Sequence, residues 1–180
     1  MSEGVIPGKG AFRGHKNLRE VEMPEKVREC EEFVFLGCRN LKRVKFSDDL
    51  RLIGNWSFAC CPQLEELNVP SRVKEIGVGA FAFSGLKKVT FPSSLKVIME
   101  AAFIANRDIH EVELPENLES VGPKAFGYGK SGLVVTVLGM ETKFDALAFE
   151  GTFGVRIRAK KQSKALDFAR ARGFDFEILE

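Results

Sequence analysis

One phenylalanine recurs along the chain at a nearly constant interval. Successive copies are separated by 23, 23, 23, 22, 23 and 23 residues, and these anchor positions are Phe12, Phe35, Phe58, Phe81, Phe103, Phe126 and Phe149. A period held this closely is typical of a solenoid, in which each unit completes its core only by stacking on its neighbours. The interval therefore predicts a repeat protein, and it accounts for sixteen Phe beside one Tyr and one Trp among 180 residues.

Each unit repeats the same order of apolar and turn residues after its anchor. In the unit of Phe58, Leu67 and Val69 are spaced by two, which places both side chains on one face of a short strand. Pro70 then removes a backbone donor and turns the chain. The next apolar pair, Val73 and Ile76, suits either a tight turn or a second short strand. The pattern predicts a right-handed coil with a parallel sheet on one face, and about seven coils at roughly 4.8 Å each would span on the order of 30 Å.

The recurring run Leu-x-x-Val-x-x-Pro-x-x-Leu-x-x-Ile-Gly-x-x-Ala-Phe-x-x-Cys resembles the BspA-like (Treponema pallidum type) leucine-rich repeat. Residues 64–70 and 73–81 carry it well, and the resemblance covers residues 10 to about 137. It implies a leucine-rich-repeat solenoid and a surface-exposed or secreted, adhesion-type protein that binds host or matrix proteins.

The whole chain, residues 1–180, is expected to form one domain. Residues 10–137 hold the regular repeats of 22 to 23 residues, and residues 138–180 hold an irregular last coil and a C-terminal cap. In the cap, Ser163 is suited to begin a helix that Gly173 ends, and the alternation of Phe174, Phe176 and Ile178 predicts a final strand. Residues 1–9 offer no comparable cap, which would leave the first coil open to association with a second copy.

Composition excludes several classes of function. A net charge of +2 and a pI near 8.3 do not favour nucleic acid as a partner. No stretch reaches the roughly 18 apolar residues of a membrane helix. The chain shows no basic start followed by an apolar segment, so no signal peptide is visible, and the location suggested by the resemblance is left open.

The sequence offers no catalytic or metal-binding motif. Neither a Ser-His-Asp set nor a phosphate-binding loop is present, and the cysteine spacings do not suit zinc. We therefore expect no enzyme activity and no cofactor. His15 is expected to be a partly buried filler and His110 a solvated residue. Cys38 and Cys61 occupy the same position of adjacent units, so a disulfide is conceivable, although buried free thiols are favoured.

The outward positions of the predicted strands form a mosaic of both charges. Such rows can serve only to align neighbouring strands, or they can form a surface that binds a protein partner. Phe33 and Trp56 share the position two residues before the anchor, where other units have Gly, Ala or Lys, so they fill packing gaps or form an interaction hot spot. The candidate partner-binding residues are Phe33, Trp56, Arg19, Lys42, Arg43, Lys45, Glu65, Glu66, Asn68, Lys87 and His110.

A second row is almost uniformly basic. It consists of Arg28, Arg51, Lys74 and Lys96, and Glu119 interrupts it. Stacked like charges suit an anionic glycan or phosphate chain, or they are solvated side chains that cover an apolar edge. The sequence thus favours a non-enzymatic module that binds a macromolecular partner on its sheet face. The alternatives are a binder of carbohydrate or polyanion through the basic row, and a structural or self-assembling repeat unit.

Overall fold

The computed structural model describes residues 8–180, which wind into a parallel β-solenoid of about seven turns closed by a helix and a strand. The sequence predictions for residues 1–7 lie outside the described residues. Each regular coil has three sides: a longer strand, a short strand, and a turn that carries the anchor Phe. The longer strands form what we call the long-strand face; they are β1 (Glu20–Glu22), β3 (Arg43–Lys45), β5 (Glu66–Asn68), β7 (Lys88–Thr90), β9 (Glu111–Leu114), β11 (Val134–Val137), β13 (Arg156–Lys160) and β14 (Asp175–Leu179).

Each unit contains a two-residue strand that ends at the second member of its second apolar pair, whereas the first member closes the preceding turn. Ile76 ends the strand Glu75–Ile76, and the N–H of Val73 donates to the Pro70 carbonyl at 3.1 Å. The turn and the strand that the sequence left as alternatives therefore both occur. The two-residue strands build one continuous six-stranded parallel sheet, the short-strand face. They are β2 (Glu29–Cys30), β4 (Leu52–Ile53), β6 (Glu75–Ile76), β8 (Val97–Ile98), β10 (Ser120–Val121) and β12 (Lys143–Phe144). One residue of each strand points to the core, as Ile53 and Ile76 do, and both are fully buried.

The long-strand face is less continuous than the sequence predicts. It divides into a β1–β3 pair, a β5–β7 pair, and a four-stranded sheet in the order β9-β11-β13-β14. Within these sheets the register follows the repeat, so Val21 pairs with Val44 and Leu67 with Val89. The alternation of exposed and buried side chains is the one expected for short strands with one face in the core.

The anchor phenylalanines form a stack through the centre of the solenoid. Successive ring centroids are 5.0 to 6.0 Å apart, close to the spacing of neighbouring strands. Phe35, Phe58 and Phe81 are fully buried, whereas Phe12 in the first described coil is 37% exposed. Each ring thus completes its burial only when a coil or the C-terminal cap covers it on both sides, which is the reason why the interval is held so closely.

The turn around each anchor uses left-handed backbone two residues before it and two residues after it. The earlier position is occupied by Gly10, Phe33, Trp56, Gly79, Ala101 and Lys124, and the later one by Gly14, Gly37, Cys60, Phe83, Ala105, Tyr128 and Gly151. Glycine adopts a positive φ freely, while other residues do so at a cost of roughly 1–2 kcal/mol. The geometry of the turn therefore explains why glycine recurs at both positions.

The C-terminal cap forms as the sequence predicts. Helix α1 (Lys164–Arg172) begins after Ser163, whose hydroxyl accepts a hydrogen bond from the backbone of Leu166, and it ends at Gly173 in the left-handed conformation. Phe168 of α1 lies against the last anchor, Phe149, with ring centroids 6.2 Å apart. The helix thereby covers the end of the phenylalanine stack.

Candidate functional site

The histidines and cysteines do not assemble into a reactive centre. Among residues 8–180, no three His, Cys, Asp or Glu side chains are grouped so as to hold a metal ion. His110 is exposed as expected. The expectation of a partly buried His15 is wrong, because the described structure stacks a coil on only one side of the first turn and its side chain is exposed. No helix in this part of the chain is long and apolar enough to cross a membrane.

The position three residues after the anchor has a structural role that the sequence pattern did not reveal. Its side chain donates a hydrogen bond to the anchor carbonyl of the preceding coil. The distances are 3.1 Å from Cys38, 3.3 Å from Cys61, 2.9 Å from Ser84, 2.8 Å from Asn106 and 2.8 Å from Thr152. Cys, Ser, Asn and Thr share only the capacity to donate, so their interchange at one position was the available signal. A buried carbonyl left without a donor would destabilise the stack.

Cys38 and Cys61 are free thiols, as favoured from the sequence. Burial raises the pKa of the Cys61 thiol to about 12, and it raises the pKa of Cys30 to about 12 as well. Burial also raises the pKa of Cys38. The protonated thiol is the form that donates a hydrogen bond, so the environment that raises the pKa also preserves the contact with the anchor carbonyl.

The nine candidate partner-binding residues that the sequence places on strand positions are all exposed. They lie along the long-strand face from the first coil to the fifth. Three ion pairs join them to a neighbouring coil: Arg43 to Glu20 at 3.5 Å, Lys45 to Glu22, and Lys87 to Glu65 at 2.9 Å. The pKa values of Lys45 and Lys87 are raised by their hydrogen bonds to these carboxylates. The alternating charges are therefore only partly used to align strands.

The long-strand face is interrupted between β3 and β5 and again between β7 and β9, and a shallow groove opens at the first of these interruptions. Within the described chain, no backbone hydrogen bond joins β3 to β5. One wall of the groove is basic and the other acidic and polar; the walls are formed by Lys42, Arg43 and Lys45, and by Glu65, Glu66 and Asn68. The structure thus brings six of the predicted site residues together around one depression.

The charges on the two walls do not neutralise each other. Arg43 and Lys45 pair with the coil before the groove, and Glu65 pairs with the coil after it. Among residues 8–180, Lys42 and Glu66 take part in no ion pair, and no ion pair crosses the groove. The groove therefore presents opposite charges and open strand edges on facing walls.

Phe33 and Trp56 are half-buried rather than fully exposed. Both occupy the left-handed position before the anchor, with φ of 60° and 55°. The Trp56 ring lies over the next coil, where a Cβ on Gly79 would approach it to 2.7 Å. The ammonium of Lys9 lies 5.4 Å from the centroid of the Phe33 ring. Packing buries part of the Phe33 ring and part of the Trp56 ring, and the rest of each ring is accessible to solvent.

The basic row forms a ladder along the edge of the short-strand face. Backbone hydrogen bonds of 2.7, 2.9 and 2.8 Å connect Arg28 to Arg51, Arg51 to Lys74, and Lys74 to Lys96. Lys96 pairs with Glu119 at 3.1 Å, so the acidic residue that interrupts the row also neutralises its last member. In the described residues, the side chains of Arg28, Arg51 and Lys74 have no acidic partner within ion-pair distance.

A comparison with family models matches six copies of the BspA type leucine-rich repeat region, over residues 6–133. The chain belongs to the BspA type leucine-rich repeat family. Solenoids of this kind are generally non-enzymatic repeat scaffolds. No curated protein sequence is similar enough to this BspA type protein to count as a match.

Solved structures of leucine-rich-repeat proteins share the fold. The Treponema pallidum protein TpLRR is 30% identical, with a TM-score of 0.50 over 69% of this chain and 68% of TpLRR. A leucine-rich repeat protein from Bacteroides ovatus is 17% identical, with a TM-score of 0.51 over 96% of this chain and 63% of its own. A leucine rich cell surface protein from Faecalibacterium prausnitzii is 14% identical, with a TM-score of 0.50 over 96% and 82%.

Proposed function

We propose that this BspA type protein is a non-enzymatic, adhesion-type interaction module. Its macromolecular partner is a protein, which binds in the groove between β3 and β5. The observation that carries the proposal is the pair of facing walls with opposite, mutually unpaired charge. Lys42 and Glu66 are solvated in the free protein and lack an ionic partner among the described residues. A partner that supplies an acidic group to one wall and a basic group to the other would pair both.

The interruption of the sheet supports the same site. Where two neighbouring strands share no hydrogen bonds, each keeps backbone donors and acceptors on the side that faces the groove. A bound polypeptide can satisfy these groups in addition to the charged side chains. Phe33 and Trp56, on another side of the solenoid, are then packing residues with accessible rings, and a contribution from them would require a partner that wraps around the coil.

The matched test exchanges two charges without changing the net charge. The groove variant Lys42→Glu/Glu66→Lys reverses, on each wall, the charge that has no ion pair among the described residues. The control Lys88→Glu/Glu111→Lys makes the same exchange across the other interruption of this face, between β7 and β9. Immobilised wild type and both variants are used for capture from cell lysate and from extracellular matrix extract. The groove variant should lose a protein that the wild type and the control both retain.

The outcomes separate the alternatives. Equal capture by all three proteins would place the site elsewhere on the solenoid, and the Phe33→Ser/Trp56→Ser variant would then be compared. No protein captured from either source would refute the interaction module and favour a structural or self-assembling unit. The resemblance to adhesion-type proteins suggests the cell surface, and fractionation of the native cells with antibody against this chain tests that location.

The basic row supports a second candidate function, the binding of an anionic polymer such as a sulfated glycan. Arg28, Arg51 and Lys74 stack one coil apart and have no acidic neighbour within ion-pair distance in the described chain. Heparin is a suitable probe, and its affinity should fall with salt and fall further in an Arg51→Ser/Lys74→Ser variant. Heparin binding that is insensitive to this variant would refute a site on the row.

A further inference from the structure

Strand β14 is one of the two edge strands of the four-stranded sheet on the long-strand face; the other, β9, lies next to the coil of β7. Strand β14 pairs in parallel with β13 over five residues, from Asp175 beside Arg156 to Leu179 beside Lys160. Within residues 8–180, its other edge pairs with no strand. An edge strand of this kind presents a row of unpaired N–H and C=O groups to any segment that can lie beside it.

The row of side chains that continues the core of the solenoid is not covered at the free edge of β14. Phe176 and Ile178 lie beside Ile157 and Ala159, which are fully buried. Phe176 and Ile178 themselves are 44% and 47% exposed; the Arg170 guanidinium lies 5.3 Å from the centroid of the Phe176 ring, and no further strand covers either side chain among the described residues. One more strand with small or apolar residues at alternate positions would bury both side chains.

The outer row of the same strand is acidic. Asp175 and Glu177 lie beside Arg156 and Arg158 at 3.9 and 3.1 Å, and their side chains remain 76% and 52% exposed. A carboxylate at the sheet edge can accept hydrogen bonds from a cation on either side. Strand β13, with the sequence Arg-Ile-Arg-Ala-Lys, lies beside β14 on its paired edge. Its basic residues lie beside the acidic row and its apolar residues beside Phe176 and Ile178, so the same alternation suits a segment on the free edge.

A second copy of this chain is a poor occupant of the edge. Continuing the solenoid with β1 of another molecule would place Asp175 beside Glu20 and Glu177 beside Glu22, because these residues occupy the same two rows. Two β14 strands in antiparallel arrangement would likewise bring carboxylates together on one face. Like charges directly opposite each other destabilise strand pairing, so the charges select against self-association at this end.

We propose that the free edge of β14 binds an extended segment of a different protein by strand addition, and that this segment alternates basic and apolar residues. The site lies at the opposite end of the long-strand face from the groove between β3 and β5. The proposal does not depend on the groove.

The probe is a fluorescent peptide with the sequence of Val155–Lys161, which contains the alternation that β14 already accepts on its other side. The control peptide contains the same seven residues with the three apolar ones grouped. Binding to the full chain is measured by fluorescence anisotropy, and amide hydrogen exchange locates the protected strand. We expect the alternating peptide to bind and to slow exchange in β14, and the grouped peptide to bind at least about tenfold more weakly.

Two double variants distinguish this edge from general charge attraction. Asp175→Ser/Glu177→Ser should weaken binding about fivefold, the effect of two solvent-exposed ion pairs. Glu111→Ser/Glu113→Ser removes acids from the same two rows of β9, the edge strand at the other end of this sheet, which is covered by the coil of β7, and should leave binding unchanged. Equal loss in both variants, or equal binding of the two peptides, would overturn the proposal.

Two further measurements test the proposal on the wild type, in case the Asp175→Ser/Glu177→Ser variant fails to fold its C-terminal cap. A peptide N-methylated at alternate residues cannot complete a strand ladder, so undiminished binding of that peptide to the wild type would refute strand addition. Sedimentation velocity of the protein alone should show a monomer. A dimer abolished by Ile178→Lys would instead identify a second copy as the occupant and overturn the heterologous assignment.

Discussion

Replacing Asn106 is the most direct test of the hydrogen-bonding role of the position three residues after the anchor. Asn106 is 2% exposed, and its amide nitrogen donates to the carbonyls of Phe81 and Phe103 at 2.8 and 3.0 Å. Its Oδ1 accepts a hydrogen bond from the backbone of Leu86 at 3.3 Å. The second donation compensates for Gly129, which occupies the same position in the next coil but has no side chain to donate to Phe103.

Replacing Asn106 by Ala removes three buried hydrogen bonds at once. At about 1 kcal/mol for each, the free energy of unfolding should fall by about 3 kcal/mol. For a chain of this size, a loss of that amount corresponds to a decrease in Tm of roughly 6–12 °C. Asn106→Ser should be intermediate, because a serine at this position can donate one bond, as Ser84 does to the Phe58 carbonyl.

Urea denaturation followed by far-ultraviolet circular dichroism measures these differences. The matched control is Asn117→Ala, which removes an exposed amide that donates to the Ser93 carbonyl at 3.1 Å, and should cost less than about 1 kcal/mol. A loss for Asn106→Ala no larger than that of the control would refute the structural role. An Asn106→Ser variant as unstable as Asn106→Ala would show that packing, rather than hydrogen bonding, governs the position.

The backbone and the thiols give three more predictions. Ala105→Gly should stabilise the protein by roughly 0.5 kcal/mol, because φ at Ala105 is 59°. Ala102→Gly should destabilise it by about 1 kcal/mol, because Ala102 is fully buried and has an ordinary φ. A shift of Tm in the same direction for both variants in thermal denaturation would contradict this. Burial raises the pKa of Cys30 and Cys61 from 9.0 to about 12, so the folded protein retains protons that the unfolded chain loses. Stability should therefore decline as pH rises from about 9 toward 12, by at most about 1.4 kcal/mol per pH unit for each thiol, and an unaltered decline in Cys30→Val/Cys61→Ser would refute the assignment. In the folded protein, a thiol reagent should modify the exposed Cys60 first, and peptide mapping that finds Cys61 modified earlier would contradict the structure.

The sequence determined the architecture because the repeat is a strong constraint repeated many times. Each inner coil buries its anchor between two neighbours, and the anchor stays in the core even across the one 22-residue interval, where Phe81 and Phe103 are both buried. Spacing by two marked Leu67 in β5 and Val69 directly after it as buried residues of one face, and Ser163 and Gly173 marked the ends of the cap helix. These features depend on local backbone geometry and on apolar periodicity, both of which are visible in a linear pattern.

Tertiary structure alone decided the features that depend on how neighbouring coils meet. The sequence did not distinguish a turn from a strand at Val73 and Ile76, since two residues carry too little periodicity to separate the two. The sequence placed Lys42 and Glu66 on one face. It did not reveal that strands β3 and β5 lack hydrogen bonds to each other and leave a groove between them. That opening depends on hydrogen bonds between coils, and the residue types within each coil are compatible with either arrangement.

The same distinction explains the position after the anchor. In the sequence, Cys38, Ser84 and Asn106 look like an interchange of small fillers. Their shared role appears only when the carbonyl of the preceding coil, 25 or 26 residues earlier, is placed beside each side chain. Periodicity fixes which residues face the core, but the partner of each polar group depends on the stacking of one coil on the next.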